Sequence, residues 1–282
     1  MKWRRIEEAF VKGLMFASMG LVAICLTSIL LVIVIRGAGA LSFSMLVETP
    51  KGGYYLGKSG GIANAIVGSA YLALGGTVLA FALSLPIAFA VQQEYAGRRV
   101  ASFTRLALDV LWGTPSIVYG AFGFVIMVWM GIRACLLGGI LVLALLMMPI
   151  MARTFEEVIR MVPRELKEAS YAMGATRWET TWAIVARQAV PGIVTGVMLA
   201  FGRGIGDAAS LLFTAGYSDR IPHSLFDPVA SLPLAVFFQI GTPIPEVQQR
   251  AYASALVLLI IVLLISLGSR FIGKRFARFA IR

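Results

Sequence analysis

Residues 51–61 read KGGYYLGKSGG, and Gly52, Gly57, Lys58 and Ser59 fit the phosphate-cradling pattern G-x-x-x-x-G-K-[ST] letter for letter. Taken at face value, the match calls for an α/β nucleotide-binding domain. Such a loop follows a buried strand and opens a helix at its lysine. The neighbourhood supplies neither. Pro50 precedes the stretch, Gly60 and Gly61 follow it, and no apolar strand ending in a carboxylate lies nearby to hold magnesium. In a chain with 29 glycines the match is an ordinary coincidence, and the stretch reads as a flexible loop.

What surrounds the loop sets the fold class. The 282 residues are 59% hydrophobic and 14% charged, with a mean hydropathy of +0.85. A soluble chain carries ~25% charged residues, so this one has too little polar surface to face water all round. A membrane-crossing helix needs ~20 apolar residues. Six runs qualify: Leu14–Ile35, Ile62–Val91, Leu106–Met130, Ala134–Ala152, Pro191–Ala215 and Ala251–Ile272. The first is longer than the apolar core of a signal peptide and reads as a retained span. Cys25 and Cys135 lie in or beside apolar runs, with no metal spacing or disulfide framework.

The net charge of +11 would suggest nucleic acid in a soluble protein, but here it follows topology. With the N-terminus inside, 18 of the 25 Lys and Arg residues fall in cytoplasmic segments, among them Arg4, Arg105, Arg153, Arg164, Arg177 and Arg275. Six fall outside, and Arg203 alone is left within a span. Both termini are therefore expected in the cytoplasm. The chain divides into a cytoplasmic segment 1–13, a membrane domain 14–272 and a cytoplasmic tail 273–282. The membrane domain includes an outer (periplasmic) loop 36–61 and a cytoplasmic segment 153–190. The glycine-lysine loop then lies outside, away from ATP.

Segment 153–190 is too long and too charged for a plain connection. FEEVIRMV places Phe155, Val158, Ile159 and Val162 on one helical face. Pro163 suits the first position of a new helix, and RELKEASYAMG ends at Gly174 as helices do. Thr176 with Glu179 three residues on forms a capping box. Helix, glycine turn and helix are expected on the cytoplasmic face. The element is either a surface elbow or a docking site for a soluble partner, with Tyr171, Met173 and Trp178 as anchors.

EASYAMGATRWETTWAIVAR resembles the E-A-A-x-x-x-G-x9-I-x-L-P loop of ABC-importer permeases. Glu168, Ala169, Gly174 and Ile184 match; Ser170 replaces the second Ala, and Ala186 and Arg187 replace Leu-Pro. From about Gly60 to Arg275 the chain resembles PstA-family permeases of phosphate importers. The supporting stretches include LWGTPSIVYGAFGF, PIMARTFEEVIRMVPRELKEASYAMGATRW and FDPVASLPLAVF. The resemblance implies an all-α membrane protein with six transmembrane helices, the type I ABC-importer (MetI-like) permease fold. It also implies three kinds of partner: a PstB-like ATPase dimer, a paralogous PstC-like permease and an extracytoplasmic phosphate-binding protein. Glu168, Ala169, Tyr171, Met173, Gly174 and Ile184 would couple to the ATPase. ATP and magnesium would sit on that partner, leaving this chain without a cofactor and without catalysis of its own.

Arg203 stands out on physical grounds alone. It lies about 18 Å into the fifth run, where a charge costs ~2.5–3.5 kcal/mol. Asp207, four residues on, would share its helical face. Either the two neutralise each other, or Arg203 serves an anion path and Asp207 holds its charge until substrate arrives. PstA-family proteins carry R-x-x-G-E-T-A-P-L here, with the arginine and acid on the translocation path. This chain reads R-G-I-G-D-A-A-S-L, so Asp207, Ala208 and Ser210 depart from the pattern. Arg153 resembles another family arginine, and also suits a positive-inside anchor. Gly202, Gly204 and Gly206 are expected to serve close packing or flexibility. Pro86, Pro115 and Pro149 could kink the inner parts of three spans.

The reading that follows is a permease subunit of an ATP-driven phosphate importer. The same machine for sulfate, molybdate or phosphonate is the first alternative. A secondary transporter would show an inverted repeat, which is not evident. An intramembrane enzyme would need a zinc or Ser/Lys constellation, and none is found.

Overall fold

The computed structural model describes residues 2–54, 60–92 and 94–277. Gly57, Lys58 and Ser59 of the glycine-lysine loop lie outside the described residues. At its flanks Pro50 and Gly60 form an isolated antiparallel bridge. The described residues are helical, with no strand.

The first helix, α1 (Lys2–Ala40), packs along the last, α11 (Pro245–Ala277). Gly37 permits the approach, since a Cβ there would lie 2.6 Å from the Tyr252 carbonyl. A short α2 (Phe43–Val47) follows, capped by the Ser42 hydroxyl. Helix α3 (Ala63–Ala90) packs most extensively on α6 (Leu136–Arg160), through Gly75 against Ile140 and Gly76 against Leu143 and Met147. In lipid, helices gain little from hydrophobic burial, so small residues that let backbones close up do the packing. Helix α6 is the hub. Two-thirds of its most apolar window is buried (67%), against none of that of α1 (0%).

The third run is not one straight span. Helix α4 (Arg98–Gly113) ends, α5 (Ser116–Trp129) begins, and their axes bend by 99°. The cause is local. Thr114 precedes Pro115 and is pushed into the extended region, at φ −73° and ψ 130°. The Tyr119 hydroxyl closes the corner by donating to the Leu111 carbonyl at 2.7 Å. Pro115 thus breaks a helix rather than kinking one, whereas Pro86 and Pro149 lie inside α3 and α6. Helix α5 is about 21 Å long, short of a bilayer core.

The fifth run also differs from expectation. Helix α7 (Arg164–Ala172) is followed by α8 (Arg177–Thr180), a π turn (Thr181–Val185) and α9 (Ala186–Ile205), the last three in one continuous rod. The rod begins well before Pro191 and stops ten residues short of Ala215. Antiparallel contacts give its register on α6: Gly192 meets Val158, Gly196 meets Thr154 and Phe155, and Gly204 meets Met147. Met147 is midway along α6, so α9 ends halfway through the bundle. Irregular chain covers the remaining half. The Thr214 carbonyl accepts from the Cys135 N–H at 2.9 Å, while carbonyls of Asp227 and Leu225 satisfy those of Leu136 and Leu137. Backbone without helix is tolerated at such depth only where protein or a water-filled cavity surrounds it. Helix α10 (Leu232–Ile240) then packs on α11.

Candidate functional site

Two sites take shape, one at the α7 end and one at the end of α9. Helix α7 starts after Pro163, which occupies the N-cap instead of the first helical position. Gly174 ends it in the left-handed region at φ +85°, with its N–H on the Tyr171 carbonyl at 2.9 Å. The capping box is present. Thr176 Oγ1 accepts the Glu179 N–H at 3.3 Å, and Glu179 Oε2 accepts the Thr176 N–H at 2.8 Å. Those Thr176 backbone and hydroxyl donors hold the Glu179 carboxyl below its ordinary range. A buried contact of 2.9 Å between Ser170 Oγ and Thr180 Oγ1 ties α7 to α8.

Glu168, Ala169, Met173, Gly174 and Trp178 are exposed, Met173 at 82%. Tyr171 is half-buried, and so is less of an anchor than its sequence position suggested. Ile184 is half-buried inside the π turn. The FEEVIR stretch is no separate helix but the last turns of α6, with Phe155 and Ile159 buried. The turn 94–97 braces the whole element. Lys167 Nζ meets Glu94 Oε1 at 2.8 Å, an Arg177 guanidinium nitrogen donates to the Glu94 carbonyl at 2.9 Å, and the Tyr95 hydroxyl pairs with Thr181 Oγ1 at 2.7 Å.

Arg153 is neither a free anchor nor an open arginine. Its guanidinium bridges Asp109 of α4 and Glu156 of α6, each at 2.8 Å. Glu156, 3% exposed, also holds Arg105 of α4 at 2.5 Å. Two arginines and two carboxylates thus fasten α4 to α6. A lone acid at Asp109, inside an apolar run, was the available signal for this junction.

Arg203 occupies the last turn of α9 and is exposed on the isolated chain. Among the described residues no carboxylate pairs with it. The expected shared helical face with Asp207 does not exist, because the helix ends at Ile205, between them. Asp207 Oδ2 instead accepts the Ser210 N–H at 2.9 Å and shapes the turn that follows. Of the three glycines, Gly204 serves close packing, as a Cβ there would lie 2.5 Å from Met147 Sδ. Gly202 faces open space, and Gly206 caps the helix end. Tyr119, a residue that sequence reasoning passed over, holds the α4–α5 corner through the Leu111 carbonyl.

An exposed guanidinium midway along a bundle of apolar helices cannot face lipid at low cost; it faces a water-filled path or another subunit. Together with broken-helix backbone at the same level, this defines a multi-pass membrane transport component. Residues 80–281 match the family described as binding-protein-dependent transport system inner membrane component, and the chain belongs to that family. It is 36% identical to the phosphate transport system permease protein PstA of Yersinia pestis, over 96% of this chain and 91% of that protein. It is 35% identical to PstA 1 of Mycobacterium tuberculosis, with 96% and 91% covered. It is 31% identical to the probable ABC transporter permease protein YqgI of Bacillus subtilis, covering 96% of each. In fold it is similar to a chain of the MetNI methionine ABC transporter in an inward-facing conformation. There the TM-score is 0.61 at 20% identity, over 78% of this chain and 96% of that one.

Proposed function

We propose that the chain is the permease subunit of an ATP-binding-cassette importer that moves inorganic phosphate inward across the cytoplasmic membrane. The observation that carries this is Arg203: an exposed guanidinium that pairs with no carboxylate among the described residues, at the end of a half-helix level with the middle of α6. Its planar fork of donors matches two oxygens of a tetrahedral oxyanion. Asp207 keeps the following turn in shape and leaves Arg203 available. The relatives named phosphate permeases support the choice of phosphate.

Further assignments belong to the same reading. The α7 end is cytoplasmic, in line with its basic residues. A PstB-like ATPase pair binds ATP and magnesium and docks on Glu168, Ala169, Met173 and Gly174, so hydrolysis belongs to the partner. A PstC-like permease covers the exposed side of α5 and α9, and an extracytoplasmic binding protein delivers substrate at the opposite end. Closure of the ATPase pulls on α7. The pull reaches Arg203 through the buried Ser170–Thr180 contact and the continuous α8–α9 rod.

Uptake of radiolabelled phosphate into phosphate-starved cells tests the reading. Loss of ATP-dependent uptake on deletion, with competition by phosphate alone, is expected. Unchanged phosphate uptake in cells without a second system would defeat it. A second reading, another oxyanion, is favoured by one feature: Ser210 Oγ is buried without a partner next to the Asp207 turn.

A further inference from the structure

A cleft of about 1090 Å³ opens between α7 and the turn 94–97, apart from the Arg203 level. Five cationic side chains line it, Arg105, Arg160, Arg164, Lys167 and Arg177, against the carboxylates of Glu94 and Glu168. Pairing leaves an imbalance. Glu94 neutralises Lys167, and Glu156 neutralises Arg105. Arg177 donates to a neutral carbonyl. Among the described residues no carboxylate lies within ion-pair distance of Arg160 or Arg164. Three guanidiniums therefore face one unpaired acid, Glu168.

We propose that this cleft binds a phosphate group. Positive charge at a membrane face needs only exposed basic residues, and convexity would do. Here the guanidiniums converge on a concavity, where field lines concentrate and planar donor forks meet a tetrahedral anion. The walls are built. Gln92, 5% exposed, is anchored to the Ala88 carbonyl at 3.0 Å, and the Lys167–Glu94 clip holds α7 against the turn. A protein partner is the weaker candidate. Of the four residues given to ATPase docking, only Glu168 lines the cleft, so a partner seated on Ala169, Met173 and Gly174 leaves most of it uncovered. The phosphate group has two sources: free phosphate in the cytoplasm, or the headgroup of an anionic lipid beside the bundle. In the first case imported product would bear on α7, and so on the coupling element. The proposal rests on the reading above only for which end meets the cytoplasm.

The test uses the full chain with Arg203→Gln, which removes the path arginine, in zwitterionic lipid nanodiscs. One arm measures equilibrium binding of radiolabelled phosphate. The other measures retention of phosphatidylglycerol against phosphatidylcholine by native mass spectrometry. Adding Arg160→Gln and Arg164→Gln should weaken one arm by about tenfold or more, as expected for two lost charged hydrogen bonds. Loss in the phosphate arm assigns free phosphate, and loss in the lipid arm assigns a headgroup. Equal binding in both arms, with thermal unfolding unchanged, overturns the proposal. So does loss of ATPase co-purification with both arms intact, which would make the cleft a docking surface. Arg160→Lys with Arg164→Lys should restore part of the binding, which separates charge loss from misfolding. Phosphate uptake by cells enters neither arm, so failure of the importer reading would show separately.

Discussion

Helix α9 ends between Arg203 and Asp207, and Asp207 Oδ2 accepts the Ser210 N–H at 2.9 Å instead of reaching the guanidinium. Arg203 is thus left to whatever fills the space it faces. Arg203→Gln should reduce transport to background while the protein still reaches the membrane and assembles. Uptake near that of the parent, at equal protein level, would make Arg203 a packing residue.

The same geometry separates two roles for Asp207. Asp207→Asn keeps an oxygen for the Ser210 N–H, and Asp207→Ala removes it, at a cost of about 1 kcal/mol. If the carboxylate forms a turn, Asn should transport like the parent and Ala should not. If its charge matters, Asn and Ala should fail together in the uptake assay.

At the α7 end, Glu168→Lys reverses an exposed charge without touching the core. Membrane levels should hold while the ATPase no longer co-purifies and transport stops. Gly174→Val should act in the same direction, because φ +85° strains an L side chain by about 1–2 kcal/mol. Normal co-purification of the ATPase with either variant would move the docking site elsewhere.

Glycines offer a contrast within one region. A Cβ at Gly120 would lie 2.7 Å from the Ser210 carbonyl, whereas nothing lies within 4 Å of one at Gly202. Gly120→Ala should push α5 off the 206–215 turn and lower both thermal stability and transport. Gly202→Ala should leave the stability of the isolated chain unchanged. Comparable melting shifts for the two would contradict this packing.

For Glu94, burial raises the carboxyl pKa, but the Lys167 hydrogen bond, the local backbone and the charges of Lys167 and Arg177 outweigh it. The group ends below its ordinary 4.5. A depressed acid contributes stability above its unfolded value and loses it as pH falls through the folded one. The turn 94–97 should therefore resist proteolysis evenly between about pH 6 and 8 and loosen only under acid conditions. Loosening near neutrality would point to a different clip.

Much of this protein was legible before any coordinates. Apolar runs, capping signals such as Thr176 with Glu179, and the helix-ending Gly174 are local, and local signals survive into the fold. The break at Thr114–Pro115 had a local signal, since proline disfavours helix in its predecessor, but Pro86 and Pro149 sit inside helices and the apolar run on both sides of Pro115 hid the difference. What could not be read was partnership across helices. Asp109 and Glu156 lie 47 positions apart in the sequence, and only the packing of α4 on α6 brings both to Arg153.

By itself, then, the sequence determined a helical membrane protein, a charged helix–turn–helix segment at one end and the presence of one costly arginine. These follow from composition, periodicity and the price of charge in hydrocarbon, which need no knowledge of neighbours. Tertiary structure decided where α9 stops, that Asp207 shapes a turn rather than neutralising Arg203, and that Arg153 ties two helices together. Each of those depends on which groups meet in space. A side chain's partner is chosen by the geometry of the packed bundle, not by its spacing along the chain.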